Sequence, residues 1–272
     1  MKTMVMTLAL AAATMAWGDI KIVRDIPYRP NSTDEYARER CKLDLKHPDK
    51  PNFRTVVWFH GGGLTGGNGH FIRINDTIAQ VAVNYRLMGK NKLTDGEECI
   101  RDAAAAIAWT LKNIATYGGD TNQVYVSGMS AGGYLTMMAG MAPQYLGEYG
   151  YKPTDLAGLA AVSGQATKHF AVRKFAGDKD PQYLPKIDRL APLNWVSKDL
   201  PPIICICGQA PWEWKCRSEE NRLLIASCTA LGHERARFVE LNYCDHGRTF
   251  TAGVPFVEMF VEDRLPGNLQ AK

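Results

Sequence analysis

Apolar residues along the chain fall into two kinds of run that alternate. Short runs, most of them rich in Val, Ile or aromatic residues, occur at KIVRDIPY (21–28), CKLDLKH (41–47), TVVWFH (55–60), VAVNYR (81–86), QVYVSG (123–128), LAGLAAVSG (156–164), PPIICICG (201–208) and ARFVELNY (236–243). Each predicts a strand. Between them lie longer segments at helical spacing, CIRDAAAAIAWTLKNIATYG (99–118), AGGYLTMMAGMA (131–142) and SEENRLLIASCTALG (218–232), and VPFVEMFVEDRL (254–265) comes last. Alternation of this kind predicts an α/β fold, a mostly parallel eight-stranded sheet with helices on both faces. One stretch breaks the rhythm. Residues 163–195 are mixed in charge and carry three prolines, and a connection that long predicts a lid-like insertion within one domain spanning 19–272.

The first eighteen residues differ from all the others. MKTMVMTLALAAATMAWG has a basic start at Lys2, an apolar run from Met4 to Ala13 and small residues at Ala16 and Gly18. This predicts a signal peptide cleaved after Gly18, and hence an exported protein, periplasmic or secreted. The apolar run is short of the ~20 residues that span hydrocarbon, so no membrane span is expected. The first cysteine, Cys41, is far from the cleavage point, which leaves lipid no acceptor there.

Composition adds exclusions. At 46% hydrophobic and 22% charged the 272-residue chain has the balance of a globular protein. The net charge is +4, or +3 without Lys2, and the basic residues are scattered, so nucleic acid is not an expected partner. Seven cysteines leave at least one unpaired. Cys205 and Cys207 alternate along one strand and face the same side, so they cannot readily bond each other.

Three stretches carry candidate chemistry. QVYVSG runs into GMSAGGY, which puts Gly128-Met129-Ser130-Ala131-Gly132 at a strand-to-helix turn. This is the G-x-S-x-G pattern, in which the glycines permit a sharp turn and leave the serine hydroxyl exposed; a plain N-cap serine is the simpler alternative. FHGGGLTGGN (59–68) follows another strand. Three glycines in a row clear away side chains and let backbone N–H groups point at one negative oxygen, whereas neither a Walker nor a dinucleotide pattern is completed. CDHGRTF (244–250) sets His246 after the last strand, where a catalytic histidine stands in the order nucleophile, acid, histidine.

Together these stretches resemble the α/β-hydrolase esterases and lipases of the HGGG type, the hormone-sensitive-lipase-like and carboxylesterase group. The resemblance covers nearly all of 36–264 and is carried by VVWFHGGGLTGGN, VNYRL, DAAAAIAWTLKNIATYGGD, VYVSGMSAGGYLTMMAG and DHG. It implies an α/β-hydrolase fold with Ser130 as nucleophile, His246 as base and the amides of Gly62, Gly63 and Ala131 as oxyanion donors. His60 is implied to orient the glycine loop. Two features depart from the family. Strand-like residues stand where many members carry an N-terminal helical cap, and position 211 is Pro where Gly-x-x-Asp is usual.

A serine triad needs a carboxylate at the far nitrogen of the imidazole. The loop after PPIICICG offers Glu213, Glu219 and Glu220, and the last two open a predicted helix whose dipole favours acidic residues there. One family subset ends this strand with Gly-Asp-Arg-Glu-Leu-Glu and continues to Arg-x-Glu-Glu-Asn. Matching Arg217, Glu219, Glu220 and Asn221 to that tail makes Glu213 the favoured acid, with Trp212 and Trp214 expected to exclude water from the pair. Asp245 adjoins His246 and is an alternative. Asp102 and Asp120 read as structural, and Asp178, Asp180 and Asp188 have no motif support. If the acid and histidine loops meet, Cys216 approaches Cys244, and a disulfide between them becomes a hypothesis.

The expected activity is hydrolysis of acetyl or other small acyl esters, with plant or microbial glycan esters suggested by export. His169, Phe170 and Arg173 of the insertion are candidates to line the alcohol side. No metal or organic cofactor is implied, and no H-E-x-x-H occurs. An amide or peptide hydrolase with the same triad and a non-catalytic binding protein on the same fold are the alternatives. The sequence leaves the oligomeric state open.

Overall fold

The computed structural model describes residues 19–90 and 94–266, so the predicted signal peptide over 1–18 lies outside the described residues. Eight strands form one sheet: β1 (Ile20–Pro27), β2 (Lys42–Pro48), β3 (Phe53–Phe59), β4 (Ala79–Val83), β5 (Gly119–Met129), β6 (Gly158–Val162), β7 (Ile203–Gly208) and β8 (Ala236–Leu241). Their spatial order is β1-β2-β4-β3-β5-β6-β7-β8. β1 and β2, and β2 and β4, pair antiparallel, and every later pairing is parallel. Each expected strand is present, within a few residues of its expected ends.

Alternation along the strands builds two cores. In β3, Val57 and Phe59 join Val81, Val83, Val126, Leu159 and Ile203 in a large cluster, while Val56 and Trp58 face the other side with Val162, Ile204 and Ile206. A parallel strand covered on both faces carries apolar residues on both, which is why β6 and β7 show no polar alternation. The helices α2 (Gly96–Asn113), α3 (Ala131–Met141) and α6 (Arg217–Ala230) add residues to the first core. The second is closed by Val254, Val257, Phe260 and Val261 of the last long helix.

That last helix corrects the sequence reading. It runs from His246 to Val261 rather than from 254, with Asp245 as N-cap accepting the Arg248 amide at 2.8 Å. HGRTFTAG offers too few apolar positions to display a helical period, so the first two turns are silent in the pattern. Three short helices are also additions: α1 (Glu35–Arg40), α4 (Pro143–Gly147) and α5 (Phe170–Phe175); the last helix is α7.

Residues 163–195 contain α5 and a 3₁₀ turn at Pro192–Trp195. Arg173 is a second correction. It is buried, pairs with Asp178 at 2.8 Å and donates to the carbonyls of Gln182 and Leu184. It therefore folds the insertion onto itself instead of lining a substrate site. The Tyr134 hydroxyl donates to the Leu190 carbonyl at 2.8 Å and fastens the segment to α3. Parallel strands send the exits of β3, β5, β6, β7 and β8 to one edge of the sheet, where open α/β sheets bind ligands.

Candidate active site

At the β5 exit the chain turns into α3 within a single residue. Ser130 has φ 57° and ψ −114°, a conformation in which non-glycine residues are rare. Its amide donates to the Val162 carbonyl and its carbonyl accepts from the Tyr134 amide. The turn fits only because its neighbours lack side chains: a Cβ on Gly132 would sit 2.0 Å from the Phe59 carbonyl oxygen, and one on Gly128 would sit 2.6 Å from the Gly132 carbonyl. G-x-S-x-G is thus a packing requirement before it is a chemical one. Ala131 is the first residue of α3, so its N–H belongs to the helix's unpaired first turn.

The glycine loop leaves β3 beside this elbow. A Cβ on Gly61 would meet Ser130 Cβ at 3.5 Å. Gly62 and Gly63 have φ 106° and 63°, and the turn is closed by the Thr65 and Gly66 amides donating to the Gly62 carbonyl. The amides of Gly62 and Gly63 therefore stand outside the turn's own bonds. His60 is buried under the loop, stacks on Tyr85 at 4.3 Å and donates from Nδ1 to the Gly61 carbonyl at 2.6 Å. Burial holds its pKa down at about 4, so it is neutral. A neutral ring with Nδ1 on the Gly61 carbonyl is tied to the loop backbone.

The three loops of the other half meet at His246. The Ser130 hydroxyl donates to its Nε2 (2.9 Å), and its Nδ1 donates to Glu213 Oε1 (2.6 Å). Glu213 also accepts from the Trp214 amide on Oε1, and from the Ser163 hydroxyl and the Gly208 amide on Oε2, at 2.8 to 3.2 Å, with Thr249 Oγ1 3.2 Å from Oε2. Burial opposes ionisation of this carboxyl, but the hydrogen bond and charge of His246, with the Trp214 amide and Ser163 hydroxyl, outweigh it and hold the pKa at about 2. Glu213 is thus an anion hydrogen-bonded to the histidine that hydrogen-bonds Ser130.

The other residues named from the sequence fall in several places. Trp214 stacks on His246, with centroids 4.7 Å apart and planes 7° from parallel. Trp212 is 56% exposed and meets Tyr243 instead, so only one of the two indoles shields the pair. Glu219 is exposed. Glu220 does more than sit at a helix end: it accepts from the amide and hydroxyl of Thr167 and pairs with Arg217. Burial pushes its pKa up. Asp245 caps α7, and Asp102 lies fully buried among arginines.

Phe170 stands beside Gly63, its ring tip 4.0 Å from where a Cβ would be, and its ring meets Trp214 edge-on. Both rings face a cavity of about 320 Å³ that also touches Leu184, Ile187 and Leu223. His169 does not reach substrate space; it is fully buried, and burial and nearby Arg217 hold its pKa at about 3. All seven cysteines, Cys216 and Cys244 included, are free thiols. Among the described residues no cluster of His, Cys, Asp and Glu could hold a metal ion, and no helix is long and apolar enough to cross a membrane. Ser163 went unnoticed in the sequence because its only local signal is a serine at a strand exit.

Known proteins are similar in two ways. Residues 43–149 match the family model BD-FAE. Carboxylesterase 1F of Mus musculus is 32% identical over 124 residues, which is 42% of this chain and 22% of the relative. Esterase E4 of Myzus persicae is 38% identical over 103 residues, 34% of this chain and 18% of the relative. The matched segments thus span about a fifth of the curated relatives. In three dimensions a truncated carbohydrate esterase from gut microbiota superposes with a TM-score of 0.68 at 18% identity, covering 90% of this chain and 96% of that one. Thermogutta terrifontis esterase 2 phosphonylated by sarin gives 0.65 at 18%, covering 97% and 100%. The structural likenesses show the fold, and the family-model match covers the stretch that holds the glycine loop and the nucleophile elbow. The chain has the α/β-hydrolase fold, and within it residues 43–149 are similar to the BD-FAE family.

Proposed function

We propose that the protein is a serine carboxylesterase that works through an acyl-enzyme. The observation that carries this reading is the unbroken chain from Ser130 Oγ through His246 to Glu213, with contacts of 2.9 and 2.6 Å, at a turn strained to expose the serine. His246 Nε2 takes the hydroxyl proton as Oγ bonds to the ester carbonyl carbon. The amides of Gly62, Gly63 and Ala131 hold the resulting oxyanion. Collapse breaks the bond to the alcohol oxygen, which leaves with the proton from His246. Water then attacks the acyl carbon, gives its proton to His246, and the acid departs as Ser130 recovers that proton.

Acetyl or other small acyl esters are the proposed substrates. The cavity beside Phe170 and Trp214 takes the larger arm, and a glycan is the proposed alcohol. Export, read from residues 1–18, and the carbohydrate esterase among the structural neighbours support that choice. Fluorophosphonate labelling with peptide mapping tests the reading: an adduct on Ser130 is expected, and an unlabelled Ser130 removes it.

A further inference from the structure

Ser163 follows β6 directly and has φ 47° while fully buried. Such a conformation suits glycine and is unfavourable for serine, and strain of this kind concentrates at functional sites. Other groups enforce it. The Ser163 amide donates to the Ile206 carbonyl at 2.7 Å, its carbonyl accepts from the Arg217 guanidinium, and the Gly164 carbonyl accepts from Asn221 Nδ2 at 2.7 Å. The first turns of α6 thus clamp the β6 exit.

The clamp delivers one hydroxyl to the centre of the site. Ser163 Oγ lies 2.8 Å from Glu213 Oε2 and 3.0 Å from His246 Nδ1. Nδ1 already donates to Oε1 and has no lone pair to offer, so the hydroxyl hydrogen goes to Oε2. The serine oxygen is then turned toward Nδ1–H. Thr249 does not duplicate this, because its hydroxyl is closer to the Asp245 carbonyl (2.7 Å) than to Oε2 (3.2 Å).

We propose that Ser163 is a positioning residue for the reaction, acting through Glu213 and His246. Its hydrogen bond fixes the carboxylate so that Oε1 faces Nδ1, and its oxygen faces the imidazolium that forms as Ser130 attacks. No bond to Ser163 forms or breaks. The inference rests on the serine-esterase reading above.

Two variants of the full chain separate hydroxyl from backbone. S163G accepts the positive φ without strain, and S163A keeps a Cβ; both remove the hydroxyl. With p-nitrophenyl acetate, both are expected to lower kcat by about ten- to a hundredfold, the scale of a hydrogen bond to a charged group, with KM little changed. The deshielded Nδ1 proton of His246 is expected to move in the NMR spectrum of each, while thermal melts show both folded. Wild-type kcat in S163G overturns the proposal, as does a rise in KM with kcat intact. Failure of both variants to fold overturns it as well, since Ser163 is then structural. A wild-type chain with no fluorophosphonate adduct on Ser130 overturns the esterase reading and this inference together, whereas a labelled, active wild type with a fully active S163G overturns this inference alone.

Discussion

Asp102 and Glu213 are both carboxylates deep in the molecule, 0% and 4% exposed, and their neighbours differ in kind. Asp102 accepts from the Arg86 backbone amide, from Arg86 Nε and Nη2 at 2.8 Å each, and from Arg29. Arg86 reaches onward to Asp34 and Glu98. Glu213 is held by neutral donors and His246, and no Lys or Arg side chain touches it among the described residues. The first charge is compensated at rest and fastens the leading segment to the start of α2. The second is compensated fully only when His246 takes up a proton. A carboxylate already paired with a fixed guanidinium has little further stabilisation to give an imidazolium, so the missing cation is what suits Glu213 to the triad role proposed for it.

The sharpest way to break the comparison is to neutralise each acid. Glu213→Gln is expected to lower kcat by about three to four orders of magnitude, or roughly 4–5.5 kcal/mol of barrier, while the fold persists. Near-normal turnover on p-nitrophenyl acetate would move the acid elsewhere. Asp102→Ala should do the reverse. It strips Arg29 of its carboxylate partner and leaves the buried Arg86 with Asp34 and Glu98 alone, and chemical denaturation is expected to show a loss of about 3–5 kcal/mol, with kcat per folded molecule within a few-fold of wild type. A large kcat loss at equal folding would dissolve the distinction.

Acid titration sharpens it further. The Glu213 carboxyl is held at about 2 against an ordinary 4.5. A depressed carboxyl stabilises the fold above its unfolded pKa and loses that contribution as pH falls through the folded one. The stability difference between wild type and Glu213→Gln is therefore expected to shrink by roughly 3 kcal/mol as pH falls from above 4.5 toward 2, read by denaturation at each pH. A pH-independent difference would mean that the carboxylate is not selectively stabilised by folding.

The smallest expected effects concern the two indoles that flank Glu213. Trp214→Ala removes the ring stacked on His246, and an aromatic stack contributes about 0.5–1.5 kcal/mol, so kcat should fall by about tenfold or less. Trp212→Ala, at an exposed ring, should change activity and stability by no more than about 0.5 kcal/mol. Equal effects from both would show that the loop is not as asymmetric as its stacking.

Some of this site is legible in the sequence because backbone geometry is severe there. Gly128 and Gly132 are demanded by contacts of 2.6 and 2.0 Å, so the motif survives as letters on the page. Glu213 was reached by elimination and a remote pattern, since a carboxylate at the end of a loop imposes no local spacing. Arg173 reads from the sequence as a rim residue because Asp178 and the carbonyls that bury it become neighbours only when the insertion closes. The Trp212–Trp214 symmetry misleads for the same reason, because residues two apart in an irregular turn need not share a face.

By itself, then, the sequence determined the strand–helix alternation, the glycine loop and the serine elbow, all set by steric rules acting within a few residues. Only the tertiary structure decided which carboxylate meets His246, which tryptophan covers it and that Ser163 stands between them. Those contacts join chain segments up to 83 residues apart, and no local rule of backbone geometry or periodicity reaches across such a distance.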